Sequence, residues 1–121
     1  HLARATLEGI ALEVWDLLDA MVKDAKRPLS ALRVDGGACQ NDLLMQFQAD
    51  VAEVAVDRPT EIESTGRGAA MLAGVGAGLT SVDAAAKMLK VGRRFEPKMA
   101  ADVRQKHLAQ WQDALRRARS T

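Results

Sequence analysis

A single cysteine, Cys39, is all the chain contains, which excludes an internal disulfide framework and gives no metal motif. A lone thiol needs a neighbouring base to act as a nucleophile, and neither His1 nor His107 is near it in sequence. Cys39 is therefore expected to be a small, partly buried side chain in a loop. Tyrosine is absent, and tryptophan and phenylalanine number two each, so the core must be built from Ala, Leu, Val and Met. Neither sign of charge is in excess: a net charge of +1 gives no global attraction to nucleic acid. The one basic cluster, Arg116, Arg117 and Arg119, complements the dipole at the end of a helix. No run approaches the roughly 20 apolar residues of a membrane span. Glu8, Glu13, Asp16 and Asp19 interrupt the apolar residues of positions 1–22, so that segment is expected to be a water-soluble amphipathic helix and not a signal peptide. A cytoplasmic location is the corresponding expectation.

What is present fits one small domain. At 121 residues there is no room for two of ordinary size. The chain opens within a helical pattern, His1 to Glu8, and is expected to be a piece of something longer. Ile10, Val14, Leu17, Leu18 and Met21 recur at helical spacing and predict the inner face of a helix from about Leu2 to Ala25, stopping before Pro28. Leu29 to Asp35 is short, apolar and followed by Gly36-Gly37, which predicts a buried strand leaving through a tight turn. A second helix is predicted from about Asn41 to Val51, with Leu43, Leu44 and Phe47 inward and Asn41 or Asp42 as its cap. A second strand is predicted from Ala52 to Asp57, closed by Pro59, and parallel to the first in a βαβ unit. Ser64 to about Ala77 reads as a third helix so rich in Gly and Ala that another backbone, the sheet or the first helix, must approach it closely. Ser81 to Lys90 predicts a short capped helix, Val91 to Pro97 an extended connector, and Ala100 to Arg119 a final helix with Leu108, Trp111 and Leu115 on one side.

The informative segment is Leu32-Arg33-Val34-Asp35-Gly36-Gly37-Ala38-Cys39-Gln40-Asn41. Paired glycines at the carboxyl end of a strand let a flat or anionic ligand approach the main chain with no Cβ in the way. The helix that follows offers unpaired N–H groups and a positive dipole end, and ligands of open α/β sheets sit at this edge. Asn41 can donate and accept, which suits an adenine or ribose edge. The pattern is neither a P-loop, which needs a Lys and a Ser/Thr, nor the dinucleotide fingerprint, and a strand followed by two glycines is by itself compatible with a plain turn.

Over a longer stretch, LRVDGGACQNDLLMQFQAD from Leu32 to Asp50 resembles the C-terminal lobe of the FGGY carbohydrate kinases, within the actin-like ATPase superfamily. His1 to Glu8, Arg58-Pro59, Thr65, Gly68-Ala69-Ala70, Leu72-Ala73-Gly74, Arg94-Phe95-Glu96-Pro97 and the Trp111 helix are similar to its flanking elements, so the resemblance covers essentially the whole chain. It implies an α/β fold: a partial actin-like ATPase (ribonuclease H-like) domain with an α-β-α-β-α core and two additional C-terminal helices. It also implies that Gly36 and Gly37 lie against the adenosine of ATP or ADP, carried with Mg2+, and that Asn41 contacts the nucleotide, while Asp35 orders the turn. Asp35 before the glycines and Asn41 to Phe47 after them resemble the glycerol-phosphorylating members most, which implies transfer of the γ-phosphoryl of Mg·ATP to glycerol. A member acting on another sugar, such as xylulose, and a non-catalytic interaction module remain as alternatives.

In the family, the catalytic aspartate, the polyol-binding residues and the phosphate-binding loops precede the position matching His1. The resemblance thus implies that this chain supplies no catalytic residue and touches glycerol only through parts it does not carry. Two departures stand out. Thr65-Gly66-Arg67-Gly68 puts Arg67 where a leucine is usual, implying altered packing or a side chain that snorkels to solvent. Ala52-Glu53 stands where Leu-Gly commonly ends the second helix, removing a helix-stopping glycine. Without the strands that precede it in this fold, the chain is expected to expose a sheet edge and apolar helix surface, and so to self-associate.

Overall fold

The computed structural model describes residues 1–88 and 90–120. Helix α1 spans Leu2–Ala25, strand β1 Ala31–Arg33, helix α2 Asp42–Ala52 and strand β2 Ala55–Pro59. Helices α3 (Ser64–Gly76) and α4 (Val82–Lys87) follow, then strand β3 (Val91–Phe95) and helix α5 (Ala101–Arg119). The mixed α/β fold and the expected α-β-α-β-α order are both present. β1 and β2 pair in parallel, Leu32 beside Val56 and Arg33 beside Asp57.

Helix α1 is as long as its periodicity predicts, but its buried face is only partly the expected one: Leu18 is buried and Val14 half-buried. Ala11, Leu12 and Leu18 are inside, flanked by the partly buried Leu7 and Trp15, whereas Ile10, Leu17 and Met21 are exposed. The helix carries apolar residues on two adjoining faces, and small side chains decide between them. Ala11 of α1 and Ala49 of α2 are wholly buried, and the Gln48 side chain donates to the Ala11 carbonyl at 3.3 Å. Two helix backbones can approach this way only where Cβ is the largest atom between them. α1 ends where Lys26 turns left-handed at φ 53° and donates its N–H back to the Val22 carbonyl.

Helix α2 is the centre of the molecule. Leu44, Met45, Phe47, Gln48, Ala49, Asp50 and Val51 are all buried, because α1, α5 and the sheet surround it. Leu43, expected inward, is half exposed: it lies on the Phe47 side of the helix, about 40° away, but in the first turn of α2. The helix runs through Ala52 and stops at Glu53, which adopts the left-handed φ of 52° that a glycine would take more readily. β2 is accordingly shifted from the expected Ala52–Asp57 and continues through Pro59.

The largest departure is β3. The expected connector is a strand antiparallel to β2, Phe95 opposite Val56 and Arg94 opposite Asp57, with a bulge at Arg58/Pro59. Only Phe95 of its five residues is buried, so no alternation of apolar residues marks it in sequence. Gly92 lies against β2's exit: a Cβ there would come 2.9 Å from Thr60 Cα.

Sheet register divides the side chains by face. Leu32, Val56 and Phe95 face α2 and join a core completed by Leu44, Phe47 and Leu108 of α5. Phe47 and His107 meet edge to face, 5.1 Å between centroids. Asp50 accepts from the backbone N–H groups of Lys98 (2.7 Å) and Met99 (3.3 Å) and from Gln46 Nε2 (3.0 Å), anchoring the link into α5. Trp111 Nε1 donates to Asp16 at 2.7 Å, joining α5 to α1.

Helix α3 has the expected bounds but not the expected neighbour. None of its residues is buried, Cβ atoms at Gly66, Gly68 and Gly76 would meet nothing within 4 Å, and the element it packs on is α4. Its small residues are therefore not explained by an approach within this chain. Arg67 is half-buried and donates to the Met88 carbonyl at the end of α4, at 2.8 Å, so it braces α4 instead of snorkelling. Ser81 caps α4, accepting from the Ala84 N–H at 3.2 Å. α4 ends at Lys87, short of the expected Lys90: Met88 and Lys90 are not helical, and residue 89 lies outside the described residues.

Candidate functional site

β1 gives way at Val34, whose N–H donates to the Asp57 carbonyl, and Gly36 donates to the Ile62 carbonyl at 2.9 Å. Gly36 takes φ 78°, ψ 174°, a conformation that side chains rarely adopt. The Ser64 hydroxyl donates to the Asp35 carboxylate, so Asp35 ties the turn to the start of α3. Gly37 to Gln40 form one 3-10 turn, closed by Cys39 N–H to Gly36 O and Asn41 N–H to Ala38 O, each 3.2 Å. Cys39 lies inside this turn and is more deeply buried than expected, at 2% exposure.

Asn41 then caps α2: its Oδ1 accepts from the Leu44 N–H at 3.0 Å. That orientation commits the oxygen and leaves the Nδ2 amide without a hydrogen-bond acceptor among the described residues. Gly36, Gly37 and Asn41 thus share one turn between the end of β1 and the N-terminus of α2. Gly37 and Asn41 are exposed. Cβ atoms built at Gly36 or Gly37 would meet nothing within 4 Å. Gly36 is needed for its φ, but nothing within this chain requires a glycine at position 37. The free groups of the turn are donors, namely backbone N–H groups of the first helical turn and the Asn41 amide, which match an acceptor-rich or anionic ligand.

A cavity of about 370 Å³ adjoins this turn, lined by Arg33, Asp35, Asp57, Ser64 and Lys90 among others. Gly36, Gly37 and Asn41 are not among its walls, so the three residues face an open edge and not an enclosed pocket. Asp57 is buried beneath the cavity, with Arg94 Nε 3.1 Å from its Oδ1. That oxygen receives no aligned hydrogen bond, so the contact is an ion pair, in which Arg94 Nε also lies 3.3 Å from Glu96.

No local sequence pattern marks the arginine cluster behind the turn. Arg58 Nη1 donates to the Cys39 carbonyl (2.9 Å), the Gln40 carbonyl (3.2 Å) and Asp42 Oδ1 (2.8 Å). Arg93 binds the other Asp42 oxygen, and both guanidinium groups stack near Phe95, 5.2 and 4.5 Å from its centroid. The Arg58 hydrogen bond is the main cause of an Asp42 carboxyl held below its ordinary value; desolvation opposes it, and Arg93 adds to the lowering. The signal that could have found this cluster is the strand assignment of β3, which puts Arg93 opposite Arg58.

Among the described residues no group of three or more His, Cys, Asp or Glu side chains is arranged to hold a metal ion. Among the described residues no helix is long and apolar enough to cross a membrane.

Residues 1–77 match the family model described as the C-terminal domain of the FGGY family of carbohydrate kinases. Over 121 residues the chain is 54% identical to a glycerol kinase of Acinetobacter baylyi, covering 99% of this chain and 24% of that protein. In three dimensions it is similar to Plasmodium falciparum glycerol kinase, solved with ADP, at a TM-score of 0.80 and 31% identity over 94% of this chain and 23% of that one. A ligand-bound xylulose kinase of Lactobacillus acidophilus matches with a TM-score of 0.69 and 25% identity, over 93% and 22% of the two chains. The chain therefore spans about a quarter of the length of the curated relatives it matches.

Proposed function

The chain belongs to the FGGY family of carbohydrate kinases, and from that premise we propose that it supplies the adenosine-binding edge of an ATP-dependent glycerol kinase. The observation that carries this reading is the turn itself. Gly36 needs its positive φ, Gly37 has open space where a Cβ would stand, and Asn41 keeps an amide donor free beside a helix N-terminus. In this reading the backbone at Gly36 and Gly37 lies along the adenosine of ATP or ADP, and Asn41 Nδ2 donates to it.

The reaction served is transfer of the γ-phosphoryl of Mg·ATP to a terminal hydroxyl of glycerol. Such chemistry runs on positioning and charge neutralisation, with a carboxylate taking the hydroxyl proton. This chain's contribution is to hold and orient the nucleotide. Asp35 is engaged by Ser64 and Asp42 by two arginines, so neither serves as that carboxylate. Mg2+ would arrive on the nucleotide phosphates and be held by residues outside this chain. Glycerol is favoured over xylulose because the relative named a glycerol kinase is 54% identical and the xylulose kinase 25%. We assign the protein to the cytoplasm, where ATP is found.

Taken alone, the chain does not phosphorylate glycerol, and it self-associates. β1 is an edge strand of the three-stranded sheet, and Ile10, Leu17, Met21 and Leu72 are exposed apolar side chains on α1 and α3. An open edge with apolar surface beside it favours pairing with a second copy. Sedimentation as a monomer at high concentration would contradict this part. Turnover of glycerol above a mock-purified control would contradict the first.

The test of the nucleotide assignment is calorimetric titration of Mg·ADP into the purified chain. Part of a pocket repays the cost of association poorly, so a dissociation constant of about 1 mM is expected. Asn41→Ala should weaken it by roughly three- to tenfold, the worth of one hydrogen bond. Equal affinity in the variant sinks the Asn41 assignment.

A further inference from the structure

We infer that Arg58 is a positioning residue for the nucleotide edge: its guanidinium holds the Gly36–Asn41 turn in the shape that a ligand meets. The inference rests on the nucleotide assignment above for its ligand, and on geometry of its own for the turn.

The turn has little else to fix it from below. It is four residues long, the bonds that close its two ends are 3.2 Å each, and 3-10 geometry makes such bonds weak. The carbonyls of Cys39 and Gln40 point away from the open edge, toward β2, and one nitrogen of Arg58 shares its two protons among both carbonyls and Asp42 Oδ1. The contact joins the last two residues of the turn to the first residue of α2, so it sets the angle between the Gly36-Gly37 backbone and the helix N-terminus. Arg58 is itself over-determined. It sits on β2 where the strand bulges, its ring partner Phe95 is buried, and only 18% of its side chain is exposed. Cation–π contact and a rigid fork give an arginine this role, which a lysine, a single point charge on a flexible stem, cannot reproduce.

Arg104 provides a matched control. It too is largely buried and donates from Nε to a backbone carbonyl of α2, Val51, at 2.9 Å, while pairing with Glu53. It works at the opposite end of α2, far from the turn in sequence. A merely structural arginine should behave like Arg104.

The experiment titrates Mg·ADP into the chain and its Arg58→Ala, Arg58→Lys and Arg104→Ala variants, well below every melting temperature. Hydrogen exchange of the Cys39 and Asn41 amides is measured without ligand. Both Arg58 variants are expected to lose about tenfold in affinity and to exchange those two amides about tenfold faster, while Arg104→Ala lowers the melting temperature and leaves both readouts unchanged. Arg58→Ala affinity within about twofold of the parent, or an equal loss in Arg104→Ala, overturns the inference. If the parent chain binds no nucleotide, the nucleotide assignment fails, and the exchange data alone decide the role of Arg58. Faster exchange confined to Cys39 and Asn41 supports it, and unchanged exchange overturns it.

Discussion

Replacing Asp50 should loosen the C-terminal third of the molecule from its centre. Asp50 sits in the last buried turn of α2, 9% exposed, and one of its oxygens accepts from the N–H groups of Lys98 and Met99 and from Gln46. Gln46 in turn donates to the Glu96 carbonyl at 2.8 Å, so a single carboxylate organises the whole link between β3 and α5. Hydrogen bonds to a charged acceptor contribute about 1.5–3 kcal/mol, and a buried donor left unpaired costs about 1–3 kcal/mol. Lys98 is exposed and can recover water, while Met99 is half-buried and recovers less. Asp50→Ala should therefore destabilise by about 2–3 kcal/mol, a fall in melting temperature of roughly 6–15 °C for a domain of this size. Asp50→Asn keeps the shape and one acceptor oxygen and should cost about 1 kcal/mol. Urea denaturation gives both values, and hydrogen exchange should place the loss at Lys98, Met99 and α5, not at β1. An Asp50→Ala loss under about 0.5 kcal/mol, or an Asp50→Asn loss as large as that of alanine, would refute the reasoning.

Gly92→Ala should destabilise by about 1–3 kcal/mol, because its Cβ would meet backbone atoms of Thr60 at 2.9 Å and no flexible side chain can yield; denaturation at parental stability would contradict it. Lys26→Gly should stabilise by about 0.5–1 kcal/mol, since relief of a left-handed φ of 53° outweighs the entropy a glycine adds to the unfolded chain, and a lower urea midpoint would count against it. Asp42 titrates below its ordinary value of 3.8 in the folded chain. The stability it contributes is then fully present above that value and is lost as pH falls through the lower folded value. The gap in melting temperature between the parent and Asp42→Asn should narrow as pH falls below 3.8, and a gap constant with pH would refute the arginine pairing.

How legible the molecule was depends on how local each signal is. The lengths of α1, α2, α3 and α5 follow from periodicity and stop signals, and the Asn41 and Ser81 caps follow from residue type, because both are settled within a turn of helix. The buried face of α1 is legible only in part: Leu18 is inside as expected, but Ile10, Leu17 and Met21 make as good a stripe as Ala11 and Leu12, and only the partner helix, through Ala49, selects Ala11. β3 escaped because Phe95 is its one buried side chain, so its identity lies in pairing with β2. The turn at Gly36 and Gly37 is legible as a turn from its glycines. The Arg58–Asp42–Arg93 cluster that supports it joins residues up to 51 positions apart, and no local pattern announces such a contact. Glu53 shows the reverse case, in which a missing glycine was noticed and the backbone nevertheless adopts the conformation the glycine would have served.

The central claim, that the Gly36–Asn41 turn is a nucleotide-binding edge, is tested most directly by titrating Mg·ADP and Mg·ATP into the chain while following backbone amide signals by NMR. Saturable shifts concentrated at Gly36, Gly37 and Asn41 are expected. Shifts spread evenly over the chain, or none at nucleotide concentrations of about 10 mM, well above the expected dissociation constant, would contradict it.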